Sequence, residues 1–374
     1  MKHLSNIIRL GVKELYSLRQ DTVLLILIAV VFTVMVFSGA KAMDRDLHNA
    51  PIAIVDEDHS QLSSRILTAF YPPYFKLPRA ISKDEIDPGL DSGTYTFVLD
   101  IPPHFEEDVL AGRQPVIQVN IDATRMTQAY IGQNYIRSIV TGQINEFVER
   151  QRREPVTPIK LTVRVKFNPN LNGIWYGGIM EIINQVTMLS IILTGAAVIR
   201  EREHGTLEHL LVMPLTPFEI MSAKVWANGL VVLLGAAASL RLIIQGVLGM
   251  PIAGSIELFL FGTMLHLFST TSMGILLATV ARSMPQFGLL MILVVFPMFL
   301  LSGGVTPRES MPKIIQNIML AAPSTHFTAL AQAILYRGAG LDIVWPQLAA
   351  IVGLGVVFFT IALLRFRASL AAQS

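Results

Sequence analysis

Two histidines, His204 and His209, invite a metal-site reading. Five positions apart, they fall about 140° apart on a helix, whereas the two His of a metal-binding H-E-x-x-H pair share one face. Solvated histidines are the simpler expectation. A phosphate-binding loop needs glycines whose N–H groups wrap the phosphate and a closing Gly-Lys, and no Gly-Lys pair occurs in the chain. Leu301-Ser302-Gly303-Gly304 has the look of an ATPase signature loop, but it ends an apolar run, where small residues let a helix stop and pack closely. A nucleophile elbow is also missing, which removes the usual routes to hydrolysis. What remains are polar side chains inside apolar runs. Glu181, Asn184 and Gln185 share one helical face, and Thr263, His266 and Thr270 share another. Such groups are costly at membrane depth and face a bundle interior or water. Two alternatives stay open for them: a substrate path or subunit seam, and plain hydrogen bonding between helices. Arg241 is placed near a span end, where it can snorkel, and Pro297 can kink its span.

The elements that hold these residues are set by composition. The chain of 374 residues is 52% hydrophobic and 15% charged, against about 25% charged in soluble domains. Lipid is needed to cover that much apolar surface. A net charge of +2 gives no nucleic-acid footprint, and the absence of cysteine removes disulfides and thiolate metal sites. Apolar runs lie at about 22–40, 175–199, 225–244, 256–281, 286–302 and 343–364. The first is about 28 Å long as a helix, enough for a bilayer core. Ala40-Lys41-Ala42 resembles a signal cleavage site. However, a long polar segment precedes the run, and the run exceeds the roughly 7–15 residues of a signal sequence, so an uncleaved anchor is expected.

Charge gives the expected orientation. Lys2, Arg9, Lys13 and Arg19 precede the first span, Arg200 and Arg202 follow the second, Arg282 sits between the fourth and fifth, and Arg365 and Arg367 follow the sixth. Six spans with both termini cytoplasmic put all of these on one side. The short loop near 249–254 has no Lys or Arg, and the last outer segment carries only Arg308, Lys313 and Arg337.

The expected fold is therefore an α-helical integral membrane protein with six transmembrane helices and a mixed α/β periplasmic domain inserted between helices 1 and 2. Residues 1–21 form a cytoplasmic N-terminal segment and 22–42 the first helix. The insert covers 43–173. The five-helix domain covers 174–364 with a cytoplasmic segment at 200–223, and 365–374 is the tail. Within the insert, strands are expected at 51–55, 94–101, 116–121 and 159–167, and helices at 60–70, 105–111 and 125–150, from their apolar spacing and from the breaks at Pro102-Pro103 and Gly112.

The most specific segment is residues 200–214: a charged stretch, a short amphipathic helix and a Pro stop, followed by a second short helix at 217–223. By itself it reads as a solvated loop. It resembles the cytoplasmic E-x-E-x-G-T-x-E-x-L motif of ABC-2 type permeases through Glu201, Glu203, Gly205, Thr206, Glu208, Leu210 and Leu211, with Pro214 closing it. Residues 101–105, 167–170 and 301–304, together with Thr306-Pro307, Met311-Pro312, Pro323 and Arg337-Gly338, are similar to the large-ectodomain branch of that family. Arg241 and His266 match no motif of the family.

The resemblance implies a permease subunit of an ATP-driven ABC exporter in a bacterial inner membrane. This chain would bind no cofactor, since ATP and Mg²⁺ belong to a separate ABC ATPase subunit. A second permease, identical or related, would complete the path, and the insert would meet a periplasmic adaptor protein and an outer-membrane channel. The motif residues would take the ATPase's motion, with Glu201, Glu203 and Glu208 accepting Arg or Lys of that subunit. The competing reading is a membrane-anchored receptor or channel with a ligand-binding outer domain. It is weakened by five clustered spans and no cytoplasmic signalling domain.

Overall fold

The computed structural model describes residues 2–43, 47, 49–122, 124, 126–151, 172–203, 205 and 215–371. They form two compact units, one built from 1–44 with 165–374 and the other from 45–164.

In the first unit, a helix at Lys2–Gln20 ends at Asp21, whose carboxylate accepts the Leu24 N–H at 3.0 Å and so starts the next helix. Six helices among the described residues are long and apolar enough to cross a membrane: Thr22–Ala42, Gly173–Glu203, Pro217–Val247, Ile256–Val280, Met284–Leu301 and Leu341–Ala368. We number these spans one to six. The third does not begin where apolarity begins. The segment 217–223, expected as a separate short helix, is its first two turns. Pro217 at the first helical position and a reciprocal Thr216–Glu219 capping box start the helix there, and nothing between 223 and 225 breaks it.

A further helical pair, Lys313–Ala321 and Pro323–Leu335, is bent by 91° and lies between the fifth and sixth spans. Composition gave no sign of it. Pro323–Leu335 has only 13 residues and includes Ser324, Thr325, His326, Thr328 and Gln332. It is nevertheless buried, with Phe327, Leu330 and Ile334 in the central apolar cluster beside Ile183, Val186, Phe259 and Leu267.

The second and fourth spans form the middle of the bundle and cross closely. A Cβ on Gly274 would lie 2.6 Å from the Ile191 carbonyl oxygen, and one on Gly195 would overlap the Phe287 ring. Without a strong apolar driving force between helices in lipid, close approach through small residues is how spans adhere. Gly274→Ala is expected to force the two spans apart and destabilise the bundle by about 1–3 kcal/mol. A fall in the melting temperature of the protein in detergent checks this, and an unchanged melting temperature refutes it.

The second unit is built on a four-stranded sheet, in the order β2 (Arg79–Ala80), β1 (Ile52–Asp56), β3 (Phe97–Ile101), β4 (Gln118–Ile121). β1 pairs in parallel with β2 and β3, and β4 runs antiparallel to β3. Alternation sets its two faces. Ile52, Ile54, Phe97, Leu99 and Ile101 pack with residues of helices Gln61–Thr68 and Met126–Gln151, while Ala53, Val55 and Val98 meet Ile86 and Tyr95. Two helix starts brace one another. Asp58 accepts the N–H groups of Phe105 and Glu106 at 2.8 and 3.1 Å, and Glu106 accepts that of Leu62 at 2.9 Å. The strand expected at 159–167 lies outside the described residues.

Candidate functional site at the ends of the second and third spans

The last turn of the second span carries Arg200, Glu201, Arg202 and Glu203, and each side chain reaches a different element. The Arg200 guanidinium lies 3.4 Å from Asp21, at the joint between the N-terminal helix and the first span. Glu201 pairs with Lys224 of the third span at 2.8 Å. Arg202 donates to the carbonyls of Ala278 and Ala281, at 3.3 and 2.6 Å, and so caps the C-terminus of the fourth span. The Glu203 carboxylate accepts the Met284 N–H at 2.9 Å, where the fifth span begins and its dipole favours a negative charge. Four consecutive residues thus tie one helix end to four others.

Lys224 is the centre of this arrangement. Its side chain is 3% exposed and also pairs with Glu14 of the N-terminal helix at 3.0 Å. An ammonium buried to that degree is tolerated only with partners, and here two carboxylates flank it. The same helix is held at two further points. The Trp226 indole donates to the Ile7 carbonyl at 3.2 Å with its ring against Gly11. Glu219 accepts from Asn6 at 2.8 Å and lies 3.1 Å from His3 Nδ1, while its other oxygen accepts the Thr216 N–H at 2.6 Å.

Glu201 and Glu203, expected to face a partner's basic residues, are therefore engaged within the chain. Gly205 follows with φ +68°, a left-handed position that stops the second span and that a side chain would strain. Thr206, Glu208, Leu210, Leu211 and Pro214 lie outside the described residues, as do His204 and His209. Sequence reading missed Glu14, Lys224, Glu219 and Trp226. A lysine seven residues into a strongly apolar helix was the available signal, since such a charge requires a partner.

The membrane-depth candidates form a separate cluster. Thr187 Oγ1 lies 2.9 Å from His266 Nε2, and Ser190 donates to Thr270 Oγ1 at 2.6 Å. The second and fourth spans are thus hydrogen-bonded at the bundle centre. The His266 ring stacks on Phe327 of the bent helical pair with centroids 4.1 Å apart. Thr263 returns its hydroxyl to the Phe259 carbonyl. Gln185 donates to Glu181, whose side chain packs on Gly39 of the first span. Asn184 and Gln185 line a small void of about 70 Å³ beside Met298 and Ser324. Arg241 is exposed on the third span. No group of three or more metal-ligating side chains occurs among the described residues.

Membrane-length helices around a hydrogen-bonded centre, clamped at one end by a charged hub, define a multi-span membrane protein. Comparison with known proteins supplies the family. The chain belongs to the ABC-2 family of transporter proteins, whose model matches residues 22–364. It is 59% identical over 374 residues, the whole of both chains, to the inner membrane transport permease YhhJ of Escherichia coli K12. It is 30% identical over 341 residues, covering 90% of this chain and 91% of the other, to the probable multidrug ABC transporter permease YbhR of the same organism. It is 27% identical over 338 residues, 88% of each, to the probable multidrug ABC transporter permease YbhS. As a member of this family the chain is a membrane transport permease.

Proposed function

We propose that this chain is the membrane-spanning subunit of an ATP-driven exporter of the bacterial inner membrane. The observation that carries the reading is the hub at residues 200–203, bonded to the N-terminal helix joint and to the third, fourth and fifth spans. A push on the motif segment immediately after it is passed to the bundle through these bonds, which is what a rigid lever on a bistable bundle requires.

In this reading a separate ABC ATPase subunit, holding ATP and Mg²⁺, docks on residues 205–214. With Glu201 and Glu203 committed inside the chain, Glu208 is the motif carboxylate left to meet Arg or Lys of the ATPase. A second permease, identical or related, completes the path. Both termini lie in the cytoplasm and the insert 43–173 in the periplasm, because that orientation puts the basic residues beside the span ends on the cytoplasmic side. The insert meets an adaptor protein and, through it, an outer-membrane channel. The multidrug wording attached to two relatives favours a lipophilic, drug-like cargo.

Affinity purification of the tagged protein in mild detergent, with mass spectrometry of what accompanies it, tests the reading. Stoichiometric recovery of an ABC ATPase supports it, and a second permease in the same eluate selects the heterodimer. Recovery of this chain alone in several detergents would count against it and favour a receptor or stand-alone channel.

A further inference from the structure

We propose that the cavity beside the bent helical pair binds the oxyanion head, carboxylate or phosphate, of an organic anion. The cavity measures about 540 Å³, within the roughly 300–1,000 Å³ of small-molecule sites. It lies at the far end of the fifth span from the charged hub, and it involves no residue of that hub. It runs along one face of Pro323–Leu335 and just beyond, where Thr325, Thr328, Gln332 and Tyr336 recur at helical spacing. The opposite face, with Phe327, Leu330 and Ile334, is fixed in the core.

Two threonines of the lining have buried hydroxyls. Thr325 and Thr328 are 5% and 2% exposed, and neither Oγ1 finds a hydrogen-bond partner among the described residues. Elsewhere in the bundle, Thr187, Thr263, Thr270 and Thr271 return their hydroxyls to a carbonyl of the preceding turn, while buried Thr194 has no partner for its hydroxyl among the described residues. Thr325, in the first turn of its helix, and Thr328 likewise have none, and both line the cavity. Most buried polar groups are bonded by something. Gln347 Oε1 lines the same cavity and is also without a partner among the described residues.

Charge selects the class of ligand. Arg308 and Arg337 both line the cavity and make no ion pair among the described residues, against a single lining carboxylate, Glu309. Guanidinium groups match carboxylate and phosphate through paired N–H donors, and the threonine hydroxyls and Gln332 offer further donors. Pro307 and Ala329 leave apolar wall for the organic part. A lipid headgroup and a soluble anion would present the same chemistry.

Titration calorimetry on the purified protein in a neutral maltoside detergent separates these, with inorganic phosphate and dihexanoyl phosphatidylglycerol as probes; no ATPase is needed. Saturable binding is expected. A preference of tenfold or more for the phosphatidylglycerol identifies a lipid or amphiphile site, and equal affinities identify a soluble-anion site. Arg308→Gln with Arg337→Gln should weaken binding at least tenfold. Thr325→Val with Thr328→Val should weaken it threefold or more. The same valine pair should leave the melting temperature of the probe-free protein unchanged or raised, because it removes hydroxyls that bond nothing in the chain. Absence of saturable binding of both probes, wild-type affinity in either double variant, or a lowered melting temperature in the valine variant would each overturn the proposal.

Discussion

Lys224→Met should destabilise the protein by about 3–5 kcal/mol, the range for breaking a buried ion pair by removing one partner. Lys224 sits between Glu14 and Glu201 at 3.0 and 2.8 Å, and its side chain is 3% exposed while theirs are 19% and 16% exposed. Without the ammonium, two like charges are left close together in a poorly hydrated place. The N-terminal helix loses one of its ties to the third span at the same stroke. The cause is charge rather than volume, so the triple variant with Glu14→Gln and Glu201→Gln should recover most of the loss. Melting temperatures of the single and triple variants in detergent measure both effects. A single variant as stable as the parent would refute the account of the hub, and a triple variant no better than the single would refute the electrostatic cause.

That cluster also marks where sequence reading stops. The spans are legible because crossing a bilayer is a local property: length and apolarity over about twenty residues decide it. The strands at Ile52–Asp56 and Phe97–Ile101 lie where a short apolar run and a β-rich run predict them, because each is a local stretch of buried strand-forming residues. β2 has two residues, too few to carry a pattern. Lys2–Gln20 was expected only as a polar segment. Its role as a helix docked on the third span follows from Trp226, Lys224 and Glu219, over 200 positions away, and no periodicity reports such a pairing. The bent helical pair escaped for the converse reason. Pro323–Leu335 has 13 residues, too few for a span, and its polar face turns out to line a cavity.

The motif shows the same division. Resemblance singled out Glu201 and Glu203 as acids, but only the fold gives their partners, an ammonium and the start of a helix. The polar faces of the second and fourth spans were left between a path and interhelical bonding. His266 and Thr270 are engaged with Thr187 and Ser190 across those two spans. Asn184 and Gln185 instead face a small void.

Gly205→Val should sever coupling while leaving the protein inserted and folded. The backbone there has φ +68°, a conformation that costs an ordinary residue about 1–2 kcal/mol and a β-branched one more. The Gly205 N–H bonds the Arg202 carbonyl at 3.2 Å, closing the end of the second span. A Cβ at Gly205 meets nothing within 4 Å, so the penalty is conformational and not steric against neighbours. The variant relieves that strain by redirecting the chain after residue 205, and the motif segment leaves the hub at a different angle. The bonds of residues 200–203 remain, so stability should fall little. In the proposed assembly, transport-linked ATPase activity should fall tenfold or more, since about 1.4 kcal/mol of lost alignment is a factor of ten. Gly205→Asn provides the control, because asparagine accepts the left-handed region at small cost. Retained coupling in Gly205→Asn with loss in Gly205→Val ties the effect to backbone direction. Wild-type coupling in Gly205→Val would show that the motif segment does not act through the end of the second span, and the lever reading would fail with it.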